Sequence, residues 1–233
     1  MRWQGSTRTA TVVARSAGDP SVSRDESTVA FFEYDMGANY KMDASGEHRT
    51  RLTAGLGPRR RLTPDGRHVV SVVTDGAKPP VIALFPVDNE GTRRVLAADR
   101  VAASGFAEVS PDGRLVAFSA VDDRSQPVIA VCDLVACSSR RTLPNAGRWH
   151  WTPDSTGIAY VDLQFGSDVW IQPIDGRAPR QLIRFARDGR QIADFAWSAD
   201  GGRIAVARAR ISNNIVLFRG FRRLANNRLP TKP

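Results

Sequence analysis

The sequence predicts an all-β protein: a β-propeller of about five four-stranded antiparallel blades. Three observations predict it. A turn of the Ser/Thr-Pro-Asp-Gly type recurs along the chain, each copy is followed by apolar runs of strand length in the same order, and the copies are almost evenly spaced. The turns are Thr63-Pro64-Asp65-Gly66, Ser110-Pro111-Asp112-Gly113, Thr152-Pro153-Asp154-Ser155 and Ser198-Ala199-Asp200-Gly201. Their aspartates stand 47, 42 and 46 residues apart, close to the roughly 40–50 residue period of four-stranded propeller blades.

Each element of the repeat has a physical reason. Proline presets φ at the second position of a type I turn, Asp suits the next, and Gly takes the positive φ that leads into the returning strand. Asp65, Asp112, Asp154 and Asp200, with Gly66, Gly113 and Gly201, are therefore read as structural turn residues and not as catalytic acids. Ser155 replaces Gly in the third copy and Ala199 replaces Pro in the fourth. Second strands are expected at His68 to Val73, Arg114 to Ala120, Gly157 to Val161 and Arg203 to Ala207. Third strands follow at Val81 to Phe85, Val128 to Cys132, Asp168 to Ile171 and Asn214 to Phe218. These are short continuous apolar runs bounded by turn residues, the pattern of strands buried on both faces. A polar turn then leads to a fourth strand, Arg93 to Leu96, Arg141 to Leu143 or Arg180 to Ile183.

A fainter copy precedes these four. Ser23-Arg24-Asp25-Glu26 sits at the turn position, Thr28 to Tyr34 is a second strand, and Arg49 to Leu52 matches a fourth strand. The blades are thus placed at 19–54, 58–98, 104–143, 148–184 and 193–218, within a propeller of 19–221. Residues 222–233 form a polar tail, and 1–18 hold an orphan strand, Thr9 to Ala14. That strand is expected to complete the final blade, which lacks an outer strand, and so to remove an exposed sheet edge. The sequence leaves open whether five blades close a full ring or form part of a larger one.

The composition agrees with a single β domain. The chain has 233 residues, 42% of them hydrophobic, with 19 Gly and 14 Pro for many strands and turns. No stretch approaches the ~18 consecutive apolar residues of a membrane span, and residues 1–7 lack the apolar core of a secretory signal. Cys132 and Cys137 can pair across the turn between them in an oxidising compartment; with no His at ligand spacing they do not make a zinc site. The net charge of +9 comes almost wholly from arginine. Its clusters are Arg59-Arg60-Arg61, Arg93-Arg94, Arg140-Arg141 and Arg222-Arg223; three of them fall in or beside first or fourth strands, so the charge is expected to be spread around the ring, which argues against a specific nucleic-acid surface and for no more than non-specific polyanion adhesion.

Catalytic and cofactor signatures are thin. There is no Gly-x-Ser-x-Gly elbow, no His-Glu-x-x-His metal motif, no phosphate-binding Gly-Lys-Ser/Thr loop and no complete dinucleotide fingerprint, so no cofactor, metal or catalytic residue is assigned. His48, His68 and His150 stand in different blades. His150 lies between Trp149 and Trp151 just ahead of a turn, in a first strand that should border the central channel. Packing is the expected role of both tryptophans. Glu108, His150 and Asp194 are the inward candidates, and with Trp149 and Trp151 they make the expected binding surface at the channel mouth.

The repeat units resemble the TolB-type, WD-like propeller repeats of bacteria, most clearly in Phe106-Ala107-Glu108-Val109-Ser110-Pro111-Asp112-Gly113-Arg114-Leu115-Val116-Ala117-Phe118. Residues 194–221 resemble the end of propellers that bacteria append to serine/threonine protein kinases or to winged-helix regulators. The resemblance implies a sensor or protein-interaction scaffold, with a protein or peptide partner, covalently attached to such a domain. Kinase landmarks are absent from the sequence. The implied location is cytoplasmic, or periplasmic if the parent is a membrane-anchored kinase. Related propellers also precede the hydrolase domain of prolyl-oligopeptidase-like enzymes, and five-bladed rings host glycosidases and lactonases. The alternative reading is therefore a small channel-mouth enzyme or carbohydrate binder.

Overall fold

A computed structural model of the protein describes residues 14–52, 60–74, 78–88, 93–103, 105–138, 140–144, 147–161, 166–198 and 200–210. Every regular element among them is a β-strand. Four sheets have four strands each, in chain order and antiparallel: β1 (Ala17–Val22), β2 (Thr28–Glu33), β3 (Ala38–Asp43) and β4 (Thr50–Arg51); β5 (Arg60–Leu62), β6 (His68–Val73), β7 (Val81–Pro86) and β8 (Arg94–Ala97); β9 (Ala107–Val109), β10 (Leu115–Val121), β11 (Pro127–Asp133) and β12 (Arg141–Pro144); β13 (Trp149–Trp151), β14 (Gly157–Val161), β15 (Asp168–Pro173) and β16 (Arg180–Arg184). A fifth sheet pairs β17 (Gln191–Trp197) with β18 (Ile204–Ala209). The expected third strand Asn214–Phe218, and the orphan strand apart from Ala14, lie outside the described residues.

The sheets stand radially as propeller blades. Successive first strands β1, β5, β9 and β13 touch, and the first strands of all five sheets line one central cavity. The core is divided into layers between neighbouring sheets. Val69, Ala83 and Phe85 pack towards Ala30 and Leu52 of the first sheet. Their chain neighbours Val70, Ile82 and Leu84 pack the other way, against Ala107, Val116 and Phe118 of the third. Ile129, Val131 and Leu143 meet Trp149, Trp151 and Ile158, and Val161, Val169 and Ile171 meet Ile192 and Phe195. Successive side chains leave a strand on opposite faces, so a strand stacked on both sides must be apolar at every position. That is why the middle strands read as unbroken hydrophobic runs.

The turns repeat in atomic detail, and the faint first copy obeys the same pattern. The hydroxyls of Ser23, Thr63, Ser110, Thr152 and Ser198 each donate to the Asp two residues on, at 2.5–2.6 Å. Each also accepts the amide five residues on, at 2.9–3.0 Å. Each Asp in turn accepts the amide two residues after it, at 3.0–3.1 Å. In Asp65, Asp112 and Asp154 burial works against ionisation, yet the donated hydrogen bonds hold the carboxyls below their ordinary value. The next residue is left-handed in all five: Glu26 (φ 59°), Gly66 (68°), Gly113 (75°), Ser155 (61°) and Gly201 (69°).

Neighbouring blades are also tied by polar contacts. Arg94 of β8 donates to the carbonyls of Leu134 and Val135, and Arg141 of β12 to that of Ile174. In each case the first arginine of an outer strand reaches the outer turn of the next blade. Lys41 meets Asp88 at the corresponding place between the first two blades. Cys132 and Cys137 form a disulfide. It brackets a turn in which Asp133 accepts the amides of Val135, Ala136 and Ser138.

Left-handed backbone costs a non-glycine residue about 1–2 kcal/mol, partly offset by the chain entropy that a glycine would lose. Glu26→Gly should therefore raise the denaturation midpoint, by about 0.5–1 kcal/mol in stability. Ser155→Gly should not, because the Ser155 hydroxyl accepts the Asp112 amide of the preceding blade at 3.0 Å. Reducing the six-residue loop closed by Cys132 and Cys137 should cost about 2 kcal/mol. Urea titrations with and without a dithiol reductant check it, Cys132→Ser/Cys137→Ser serving as the reductant-insensitive control.

Candidate functional site: the central channel

The first strands decide what the channel contains. In β5, β9 and β13 the two flanking residues are buried and the central one is half-exposed. With a period of two along the strand, the flanks enter the layers between blades while the centre faces the axis. The central residues are Arg61, Glu108 and His150, each two positions before its turn hydroxyl. Ser21 and Ala196 occupy the same position in the first and fifth blades.

Of the expected residues, Glu108, His150 and Asp194 come together. His150 Nδ1 lies 3.4 Å from Glu108 of the blade before, and its Nε2 lies 3.5 Å from Asp194 of the blade after. Its ring meets Phe195 edge-on at 5.1 Å. Burial alone would lower the imidazole pKa, but the two carboxylates outweigh it and carry the value up to about 9. The same contact, first of all, holds Asp194 below its ordinary value. Glu108 also accepts the Trp151 amide at 3.3 Å, and its carbonyl accepts the Trp151 indole N–H at 3.0 Å. The carboxylates are therefore committed to holding an imidazolium and a strand edge.

Trp149 and Trp151 are packing residues. Trp149 is 1% exposed and stacks on Phe106 with ring centroids 4.3 Å apart; Trp151 is 3% exposed. Two cavities open on either side of the charged belt. The one among the turns, about 360 Å³, is lined by Val22, Arg24, Arg61, Glu108, His150 and Trp197 among others. The one at the opposite end, about 680 Å³, includes Asp19, Arg61, Arg148, Trp149, His150 and Asp194.

Arg61 and Asp19 are channel residues that the sequence reading passed over. Arg61 sits in a run of three arginines that reads as diffuse charge, although its place two residues before Thr63 matches that of Glu108 and His150. Its neighbour Arg60 is fully buried, and burial pulls that guanidinium down to about 10 against the opposing charge of Asp19. Asp19 lies in β1, whose sequence Ala-Gly-Asp-Pro-Ser-Val carries no strand signal. His68 starts β6, away from the channel lining. His48 lies in the β3–β4 loop, where with Glu47 it surrounds the Asp43 carboxylate. Asp43 accepts the Ser45 hydroxyl, the Glu47 amide and the His48 ring there, contacts that close the loop. No helix of the described residues is long and apolar enough to cross a membrane.

No protein-family model matches the sequence, and no curated protein does. Solved structures match its shape. TolB from Acinetobacter baumannii is 23% identical with a TM-score of 0.59, over 72% of this chain and 43% of that one. A propeller in the nidogen/laminin complex is 15% identical with a TM-score of 0.54, over 70% of this chain and 63% of that one. A puromycin-hydrolysing peptidase of Mycobacterium tuberculosis is 20% identical with a TM-score of 0.57, over 83% of this chain and 34% of that one. The chain thus spans less than half of the TolB and of the peptidase that it matches. The fold is a TolB-like β-propeller.

The imidazolium clasp has a pH signature. Because the folded pKa of His150 lies above the ordinary 6.5, the stability it contributes is complete below about pH 6.5 and is lost as the pH rises through about 9. Glu108, Asp194 and Arg61 are the charged groups that set it. The Tm difference between the protein and His150→Gln should be largest near pH 6 and shrink steadily to pH 9.5. A difference that is constant across this range would contradict the clasp.

Proposed function

We propose that the chain is a non-catalytic scaffold that binds a protein or peptide partner at the turn-side mouth of its channel. The observation that carries this is the state of the belt. His150, Glu108 and Asp194 are spent on one another across three blades, while the mouth above them presents open surface, including Val22 at 52% exposure and the Trp197 side chain. An exposed apolar rim around a rigid polar floor suits binding better than proton transfer. The likeness to a propeller solved in a nidogen/laminin complex supports an interaction role. A signalling context, by attachment to a serine/threonine kinase or winged-helix domain, belongs to the same proposal and rests on the resemblance of residues 194–221. The Cys132–Cys137 disulfide favours the periplasmic form of that context over the cytoplasmic one.

A second reading, a channel-mouth enzyme, draws on the peptidase likeness and on a histidine flanked by two carboxylates. One experiment separates the two. Peptides selected for binding from a random display library should lose at least tenfold in affinity on Val22→Glu at the mouth. They should be unaffected by Val95→Glu on the outer strand β8. Selected peptides that ignore Val22→Glu, or hydrolysis of ester, lactone or glycoside substrates by the purified chain that is lost in His150→Gln, would overturn the scaffold.

A further inference from the structure

We infer that the turn-side mouth takes a ligand carrying one carboxylate next to an apolar group, with Arg61 as the carboxylate's partner. The inference rests on the reading of this mouth as a binding surface and names the chemistry it selects. The charges decide the sign. In this cavity the carboxylate is that of Glu108, which is paired with His150, and His150 is paired again on its far side with Asp194. Arg61 stands beside them with no carboxylate within ion-pair reach among the described residues. Its Nη1 donates a long hydrogen bond, 3.4 Å, to the Arg60 carbonyl. Arg61 is close enough to His150 for its charge to oppose that of the imidazolium, so an anion placed between them relieves a repulsion already built in. Arg24 at the rim is a second cation without an acidic partner among the described residues; its Nη1 donates to the Pro111 carbonyl at 3.0 Å.

The size and walls narrow the ligand further. A cavity of about 360 Å³ is at the small end of the roughly 300–1,000 Å³ of ligand sites, room for the end of a chain or for a small acid. Its walls include Val22, Leu62, Val109 and Trp197, which favour an aliphatic or aromatic group beside the charge. A guanidinium matches a planar carboxylate with two parallel N–H donors. A doubly charged phosphate would instead set excess negative charge against Glu108.

The probes are N-acetyl-Leu-Phe as the free acid, its C-terminal amide, 4-phenylbutyrate and inorganic phosphate, titrated by calorimetry and by the fluorescence of Trp151 and Trp197. The acid should bind at least tenfold more tightly than the amide, and Arg61→Gln should abolish that difference. Arg24→Gln, an exposed rim substitution whose folding is checked by an unchanged thermal transition, should weaken the acid severalfold and lower the salt dependence of its binding. Two arms tell the sources apart. A dipeptide acid much tighter than 4-phenylbutyrate identifies a peptide C-terminus, and equal affinities identify a free apolar acid. Equal binding of acid and amide, an acid/amide difference that survives Arg61→Gln, no binding of either acid, or phosphate binding more tightly than both, each overturns the assignment. If the amide binds as well as the acid and both are lost in Val22→Glu, the mouth remains a binding surface and the carboxylate preference alone falls.

Discussion

Everything in this molecule depends on the burial of both faces of each small sheet. A sheet of four short strands cannot enclose a core by itself, so its two apolar faces must be covered by the sheets on either side. The division of adjacent residues such as Val69 and Val70 between two different layers is the direct result. The fifth sheet shows the converse. In β18, Ile204 and Val206 lie half-buried towards the fourth sheet while Ala205, Ala207 and Ala209 are exposed. Its sequence accordingly alternates, where β6, β10 and β14 do not.

The charge of the chain follows from the same arrangement. Blades that meet through apolar layers still leave backbone carbonyls unpaired at their outer turns, and Arg94 and Arg141 reach across to satisfy them. The arginines recur because the turns recur. Part of the basic composition, Arg94 and Arg141, thus serves to join blades at their rims.

Most of the fold was legible because it is written in local chemistry. The hydroxyl, Asp and left-handed residue of each turn are fixed by contacts within six residues, so even Ser23-Arg24-Asp25-Glu26, without Pro or Gly, could be recognised. The strands β1 and β3 were not, since Asp19, Pro20, Asn39 and Lys41 interrupt any apolar pattern. Their place is set by pairing with β2. The channel was half legible. His150 stood out between two tryptophans, but its contact with Asp194 depends on where the next blade places β17, a tertiary quantity. Arg61 was hidden among like charges, two of which, Arg60 and Arg61, point into entirely different surroundings.

The residue two places before each turn hydroxyl is held by neighbours that pack elsewhere, so its own side chain is excused from the core. Ser21, Arg61, Glu108, His150 and Ala196 are in that sense five settings on one frame, coupled where they touch, as Glu108 and His150 do. Exchanging one rewrites the chemistry of the bore while the layers between blades stay as they are. A frame of this kind keeps its shape while its bore residues differ, and the solved propellers that match this chain do so at 15–23% identity.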